Sequence, residues 1–372
     1  MGNACCGQDG RSSRAYEASG GGGAGVGGGG GRRRWPAVVA EPTAVAAAGG
    51  AWAMVGCDDG GCAAVCWEDA GGAKESGGRV APYAVLDGRV AAVAADDALV
   101  AAVARGGHLV VDGREPGGAW TSGGRRIEAR GVHTRTVAAV AVAGREGRVA
   151  TGGRDTAVKV WDVGGGAGAV EVWAFARARN LVTALGFVGS TTLVQAAEDL
   201  RVNVWDVRAP ATSPAQVWSG LVNIPKALAV RGEALESALI ATGHNGFDGS
   251  GCEINVLDPR MAGRIAAQLV GHRQAVTGVA WASASELLSA SADGSLAAWD
   301  WRLGRQTASE RDGASGALTG LGYDAKSATA FTLGAHSALY AWRYHGAGSD
   351  ERSSALDSAG GGGGYDRTMA AV

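Results

Sequence analysis

Residues Thr151–Val163 read TGGRDTAVKVWDV, and residues Ser289–Arg302 read SASADGSLAAWDWR. In both, a hydroxyl residue is followed four positions on by Asp and six positions after that by a Trp-Asp pair. A third copy, Gln195–Arg208 (QAAEDLRVNVWDVR), keeps Asp199 and Trp205 and places Gln195 where the hydroxyl stood. The Asp marks a tight turn. The residues after it alternate, with Val158, Val160 and Asp162 on one side and Lys159 and Trp161 on the other, as a half-buried strand requires. Self-similarity of this kind marks a repeat architecture, in which each unit buries its apolar face against the next.

Carried outward at the same period, the Trp position falls on Trp67, Val111, Trp161, Trp205, Leu257, Trp299 and Trp342, spaced 42 to 52 residues apart. Seven units then fill roughly residues 36–345. The pattern resembles the WD40 family, whose units are four-stranded antiparallel sheets arranged as blades. The expected fold is all-β, a seven-bladed WD40 β-propeller over residues 35–345, with Trp35–Glu41 (WPAVVAE) as the strand that completes the last blade. The resemblance also implies a buried hydrogen-bonded chain of His, Ser or Thr, Asp and Trp. In blade three these are His133, Thr151, Asp155 and Trp161; in blade six, His272, Ser289, Asp293 and Trp299. Elsewhere the chain is incomplete. Ala178 stands at the His place of blade four and His336 at the Asp place of blade seven. Blade two has none of the four, so its ladder is expected to rest on strand pairing and apolar packing.

Composition narrows the function classes. The 372 residues are 46% hydrophobic, enough for a large core, and the formal net charge of -2 argues against a surface built to neutralise phosphates. Many of the 64 glycines fall in Gly20–Gly31 and Gly360–Gly364, so 1–34 and 346–372 are expected to be disordered Gly-rich tails. The six cysteines show no zinc-type spacing, and Cys57 and Cys62 are expected to be free thiols. No secretory leader is evident. The apolar stretch Val90–Val103 is broken by Asp96 and Asp97 and is too short to cross a bilayer. A cytoplasmic protein is expected, on the inner face of the plasma or ciliary membrane if anchored.

His, carboxylate and hydroxyl together have the composition of a catalytic triad, but here they recur at blade period and are explained by structure. No catalytic residue, cofactor, metal or small-molecule substrate is expected. The run GGAGVGGGGG near the N-terminus has neither a strand before it nor a helix after it, so it is a linker and not a nucleotide loop.

Three stretches resemble one WD40 subgroup, the WD repeat-containing protein 31 group: Ala178–Phe187 (ARNLVTALGF), the blade-five insertion His244–Arg260 (HNGFDGSGCEINVLDPR) and Gly271–Val276 (GHRQAV). That resemblance implies a role in ciliary assembly or transport. The N-terminal MGNACC resembles an N-myristoylation signal with adjacent palmitoylation sites, although Cys6 stands where the motif prefers Ser or Thr. One myristoyl chain binds membranes only marginally, with K about 10⁴ M⁻¹, so a second lipid or a basic patch is needed. Cys5, Cys6 and the arginines of residues 11–34 offer both. Gly2, Cys5 and Cys6 are therefore the candidate lipidation sites; the alternative is a plain leader with chance cysteines.

The expected function is a protein-binding scaffold tethered by that anchor, with other proteins as partners and no nucleic acid. Candidate contact residues are Arg154 and Glu198, just before the turn Asp, and Asn245, Phe247 and Asp248 in the blade-five insertion. There Phe247 is either a binding anchor or a plug packed on its blade. The alternative function is a substrate receptor of a cullin-RING ubiquitin ligase. Trp205–Arg208 and Trp299–Arg302 match the WDxR box of such receptors through Arg208 and Arg302, unless those arginines only cap their strands.

Overall fold

The computed structural model describes residues 33–34, 40–48, 52–66, 79–113, 126–165, 168–175, 180–261, 263–311, 316–335, 338–344, 365–366 and 370–371. The chain divides into two units, Met1–Arg32 and Arg33–Val372, and every strand belongs to the second. Seven four-stranded antiparallel sheets follow one another in sequence order, with strands hydrogen-bonded in the order first, second, third, fourth. Blades one to six span 42–85, 90–129, 137–175, 182–219, 225–269 and 276–311. Blade seven combines 318–344 with Tyr365–Asp366. Helix is confined, among the described residues, to three short 3-10 turns. The expected all-β seven-bladed propeller is the fold found.

Blade three shows why these residues form these strands. Val137–Ala143, Arg148–Gly153, Val158–Asp162 and Val170–Phe175 are dominated by valine, alanine and aromatics, and the turn at Asp155 joins the second strand to the third. Lys159 and Trp161 share a face, with the ammonium 5.4 Å from the indole ring. Each first strand packs against the first strand of the next blade, and that of blade seven against that of blade one, so the seven first strands surround the axis. The core lies between sheets. Val158, Val160 and Trp173 of blade three pack on Val182, Leu185, Leu193 and Trp205 of blade four. Ala53, Val55 and Val65 of blade one pack on Phe331, Leu333 and Leu339 of blade seven, which closes the ring. Burial of this kind contributes roughly 25 cal/mol per Å² of apolar surface. Adjacent sheets approach so closely that a Cβ at Gly152 would lie 2.5 Å from Val182 Cγ1.

A register irregularity recurs near the start of every first strand, as at Val137/Ala139 and Val90/Ala92, and it aligns the blades independently of their motifs. In that alignment Trp161 faces Val149, and Trp205, Leu257, Trp299 and Trp342 hold the same place in their blades. Two sequence assignments shift. In blade one the position is Val65, opposite Ala53, rather than Trp67, which lies outside the described residues. In blade two it is Asp112, opposite Val100, rather than Val111. Blade two has lost the hydroxyl, Asp and Trp markers, and blade one keeps only the turn Asp, Asp59, whose Oδ1 accepts from Gly61 N–H at 2.8 Å, so strand pairing is what reveals their register. The expected closing strand also differs. Residues 35–39 lie outside the described residues, and the fourth strand paired to blade seven is Tyr365–Asp366. Arg33–Arg34 pair in parallel with Ala370–Ala371. Apart from these short strands, the segments 1–34 and 346–372 lie outside the described residues.

Candidate functional site

The two complete tetrads form as expected. In blade three, Trp161 Nε1–H donates to Thr151 Oγ1 at 2.9 Å, His133 Nε2 is 2.9 Å from the same hydroxyl, and His133 Nδ1 is 2.9 Å from Asp155 Oδ1. With Thr151 donating to Nε2, Nδ1–H donates to Asp155 and the imidazole is neutral. In blade six, Trp299 Nε1–H and His272 Nε2 both lie 2.7 Å from Ser289 Oγ, and His272 Nδ1 is 3.3 Å from Asp293. Thr151 and Ser289 are fully buried, so neither hydroxyl is open to a substrate. Blade four retains a dyad, Trp205 Nε1–H to Gln195 Oε1 at 2.8 Å, and blade seven another, Trp342 Nε1–H to Thr332 Oγ1 at 2.8 Å. Ala178 and His336 lie outside the described residues.

Blade two does not rest on pairing and apolar packing alone. Asp112, in the tryptophan's place, accepts from Arg126 Nη2 at 2.8 Å, and Arg126 Nη2 also donates to the Tyr83 carbonyl of blade one at 2.6 Å. The Arg126 guanidinium lies 5.2 Å from the Tyr83 ring. Blade five has its own substitute: buried His244 sits 3.1 Å from Thr242 Oγ1 and 3.7 Å from Glu253 Oε1. Cys57, Cys62, Cys66 and Cys252 are buried, and burial, aided by nearby Asp59, pushes the Cys57 thiol up to about 12. Among the described residues no group of three or more His, Cys, Asp or Glu could hold a metal ion. No described helix is long and apolar enough to cross a membrane.

The turns between second and third strands and the links leading into the first strands lie on one face, called upper here. The remaining turns lie on the lower face. This topology divides the expected contact residues. Arg154, Glu198, Asn245, Phe247 and Asp248 are all on the upper face, whereas Arg208 and Arg302 are on the lower. Phe247 is not a plug. It is 71% exposed, at the tip of a loop whose backbone pairs Phe247 with Ser250 and donates from Gly249 N–H to Arg273 O at 2.8 Å. A Cβ at Gly246 would lie 2.2 Å from the Gly251 carbonyl carbon, so the loop needs glycine there to fold this tightly. Val222 and Val270, each 67% exposed, lie on the same face.

On the lower face the WDxR arginines are engaged locally. Arg208 forks onto Asp206 at 2.9 and 2.8 Å and, chiefly by that hydrogen bonding, holds its carboxyl near 2. Arg260 forks onto Asp258 at 2.9 and 2.6 Å and, chiefly by hydrogen bonding, holds the Asp258 carboxyl below its ordinary value, and Arg302 N–H donates to Asp300 while the Arg302 guanidinium lies 5.7 Å from the Trp301 ring. Capping of this kind explains an arginine after a WD pair.

One backbone bond recurs in all seven blades of the upper face. The first residue of the second-to-third-strand turn donates its N–H to the carbonyl just ahead of its own blade's first strand. The pairs are Asp58–Glu41, Arg105–Arg89, Arg154–Thr136, Glu198–Leu181, Asn245–Ile224, Ala292–Ala275 and Ala335–Ala317, at 2.7 to 3.0 Å. The bond uses no side chain, so those positions are free to vary, and they run from acidic through basic to alanine around the ring. Sequence reading found Arg154 and Glu198 but missed Arg89 and Arg105. Arg105 holds the place of Arg154 in blade two, and a correct register for that blade would have revealed it.

The family model described as "WD domain, G-beta repeat" matches residues 128–162 and 263–300, which hold both complete tetrads. No curated protein matches the chain. Among solved structures, the chain is similar to the crystal structure of the WD40 beta propeller domain of Doa1, with a TM-score of 0.63 at 15% identity over 81% of this chain and 92% of that one. Two segments thus match WD repeats by sequence, and the chain carrying them has the fold of a WD40 β-propeller.

Proposed function

We propose that this chain is a non-catalytic protein-interaction scaffold that binds partners on the upper face of its propeller. The observation that carries this reading is the sevenfold ring of backbone bonds, which holds the turns in one geometry while leaving the side chains displayed there unconstrained. Specificity in such a scaffold resides in turn residues and not in the fold. The exposed Phe247 on its braced loop supplies an aromatic anchor of the kind that dominates interfaces. The tetrads support a non-catalytic role, because their hydroxyls are buried and already committed to Trp and His.

Two finer elements belong to the same proposal. Acylation at Gly2, with Cys5 and Cys6 as the second signal, tethers the propeller to the cytoplasmic face of a membrane. The likeness of three stretches to the WD repeat-containing protein 31 group supports a ciliary role. The test is affinity capture of the full chain from ciliated cells, comparing the parent with Phe247→Ser and with the lower-face variant Arg208→Ala/Arg302→Ala. The scaffold reading expects ciliary transport proteins to be lost with the first variant and kept with the second. The ligase alternative expects a cullin adaptor, lost with the second. Failure to retain any stoichiometric protein would sink both.

A further inference from the structure

Several cations of the lower face have a carboxylate partner, while Arg231, Arg264 and Arg305, scattered over blades five and six, have no ion pair among the described residues. Arg145 pairs with Glu233 at 3.2 Å, Lys326 with Asp97 at 2.8 Å, and Arg208 and Arg260 with their neighbouring aspartates. The upper face of blades two and three instead gathers unpaired arginines that backbone bonds link to one another. Arg89, Arg105, Arg135 and Arg154 are all exposed, and none has an ion pair or side-chain hydrogen bond among the described residues. Backbone bonds draw them together. Arg105 N–H donates to Arg89 O, Arg105 O accepts from Val137 N–H of the next blade at 3.0 Å, and Arg154 N–H donates to the Thr136 carbonyl beside Arg135. Four like charges are thus mounted on an arc that strand pairing makes rigid. Arg130, on the same link, is already taken by Asp87 at 3.0 Å.

Resting on the upper-face reading above, we propose that this arc is a docking site for an acidic, extended segment of a partner protein, whose carboxylates the four guanidiniums grip. Arginine presents a fixed fork of donors that matches a carboxylate two-on-two, and bringing anions to an unpaired cluster relieves its self-repulsion. The flanks favour a short segment over other anions. Blade one carries Glu41 and Asp58, and blade four carries Glu198, at the corresponding ring positions. A nucleic-acid backbone or an anionic bilayer laid across this face would meet those carboxylates as well as the arginines, whereas a few acidic residues fit within two blades. The net charge of -2 agrees with a local basic arc rather than a generally basic surface.

The test uses the full chain and a fluorescent peptide of alternating Asp and Glu, with its Asn/Gln counterpart, single-stranded oligothymidylate and phosphatidylserine vesicles as separate arms. The acidic peptide is expected to bind and the Asn/Gln peptide is not. Affinity should fall as salt rises past about 0.1 M, where the Debye length is roughly 10 Å. Arg105→Glu/Arg154→Glu should weaken binding by about tenfold or more with no change in melting temperature, and the lower-face Arg231→Glu/Arg305→Glu should leave it unchanged. Absence of peptide binding, equal binding by the Arg105→Glu/Arg154→Glu protein, or tighter binding of oligothymidylate or vesicles than of the peptide would overturn the proposal. Capture of partners through Phe247 together with failure of the peptide would remove this inference alone and leave the scaffold reading standing.

Discussion

The indole N–H of Trp161 and the hydroxyl of Thr151 meet at 2.9 Å between two strands, and the same hydroxyl reaches His133. Thr151→Val keeps the shape of the side chain but strands both of its partners in the core. We expect a loss of about 1–3 kcal/mol for each buried group left unpaired. Trp161→Ala and Trp299→Ala should cost about 3–5 kcal/mol each, since a large buried ring is lost as well. Trp301→Ala should cost much less, because Trp301 is only partly buried. Denaturant melts of the four variants check this, and equal losses for Trp161 and Trp301 would contradict the assigned register.

Blade two offers a sharper test of register. If Asp112 stands where other blades carry tryptophan, Arg126→Ala leaves a mostly buried carboxylate unpaired and removes the tie to Tyr83 O. The expected loss is about 1–2 kcal/mol, reduced from the value for a fully buried pair because Arg126 is partly exposed. Asp112→Trp should not restore stability, since Ala102 holds the hydroxyl's place and offers the indole N–H no acceptor. Stability unchanged by Arg126→Ala would show the ion pair to be incidental.

Acid should loosen the ring in two stages. Burial holds His133 and His244 below the ordinary imidazole value, against the opposing pull of Asp155 and Glu253. For Asp155 and Asp293 burial acts upward but is outweighed. Thr134 N–H and His133 lower Asp155, and His272, Ser295 and Arg273 N–H lower Asp293. All four folded values are depressed, so their stabilisation is present above the unfolded values, about 6.5 for His and 3.9 for Asp, and is lost as pH falls through the folded ones. Melting temperature should decline modestly below about pH 6.5 and steeply below about pH 4. A melting temperature constant from neutral pH down to about pH 4 would count against the buried neutral histidines.

The lipid anchor is testable apart from the propeller. Gly2→Ala replaces the N-terminal glycine that the myristoylation signal requires and is expected to move the protein from membrane to soluble fractions. Cys5→Ser/Cys6→Ser should act nearly as strongly, because one acyl chain holds only weakly. Thermal melts of both variants should match the parent, since no residue of 1–32 belongs to the propeller unit. If the Gly2→Ala protein pellets with membranes as fully as the parent, membrane contact does not run through this acyl chain.

What the amino-acid sequence determined by itself was the repeat. Turn Asp and strand Trp recur at fixed spacing in blades three, four and six, and a sequence that keeps one unit at one period has one closed way to bury all of its faces. Both tetrads were therefore legible residue by residue. Blades one and two were countable but not alignable, because alanine and valine dominate their strands and a shift of one or two residues looks equally apolar in the sequence. Strand pairing settled that register and showed Asp112 at the Trp position. Only the tertiary structure could sort the contact residues onto two faces, since whether a turn points up or down depends on which strands it joins. It also gathered Arg89, Arg105, Arg135 and Arg154, spread over two repeats, onto one arc. That grouping is set by backbone bonds between neighbouring blades, which no spacing along the chain encodes.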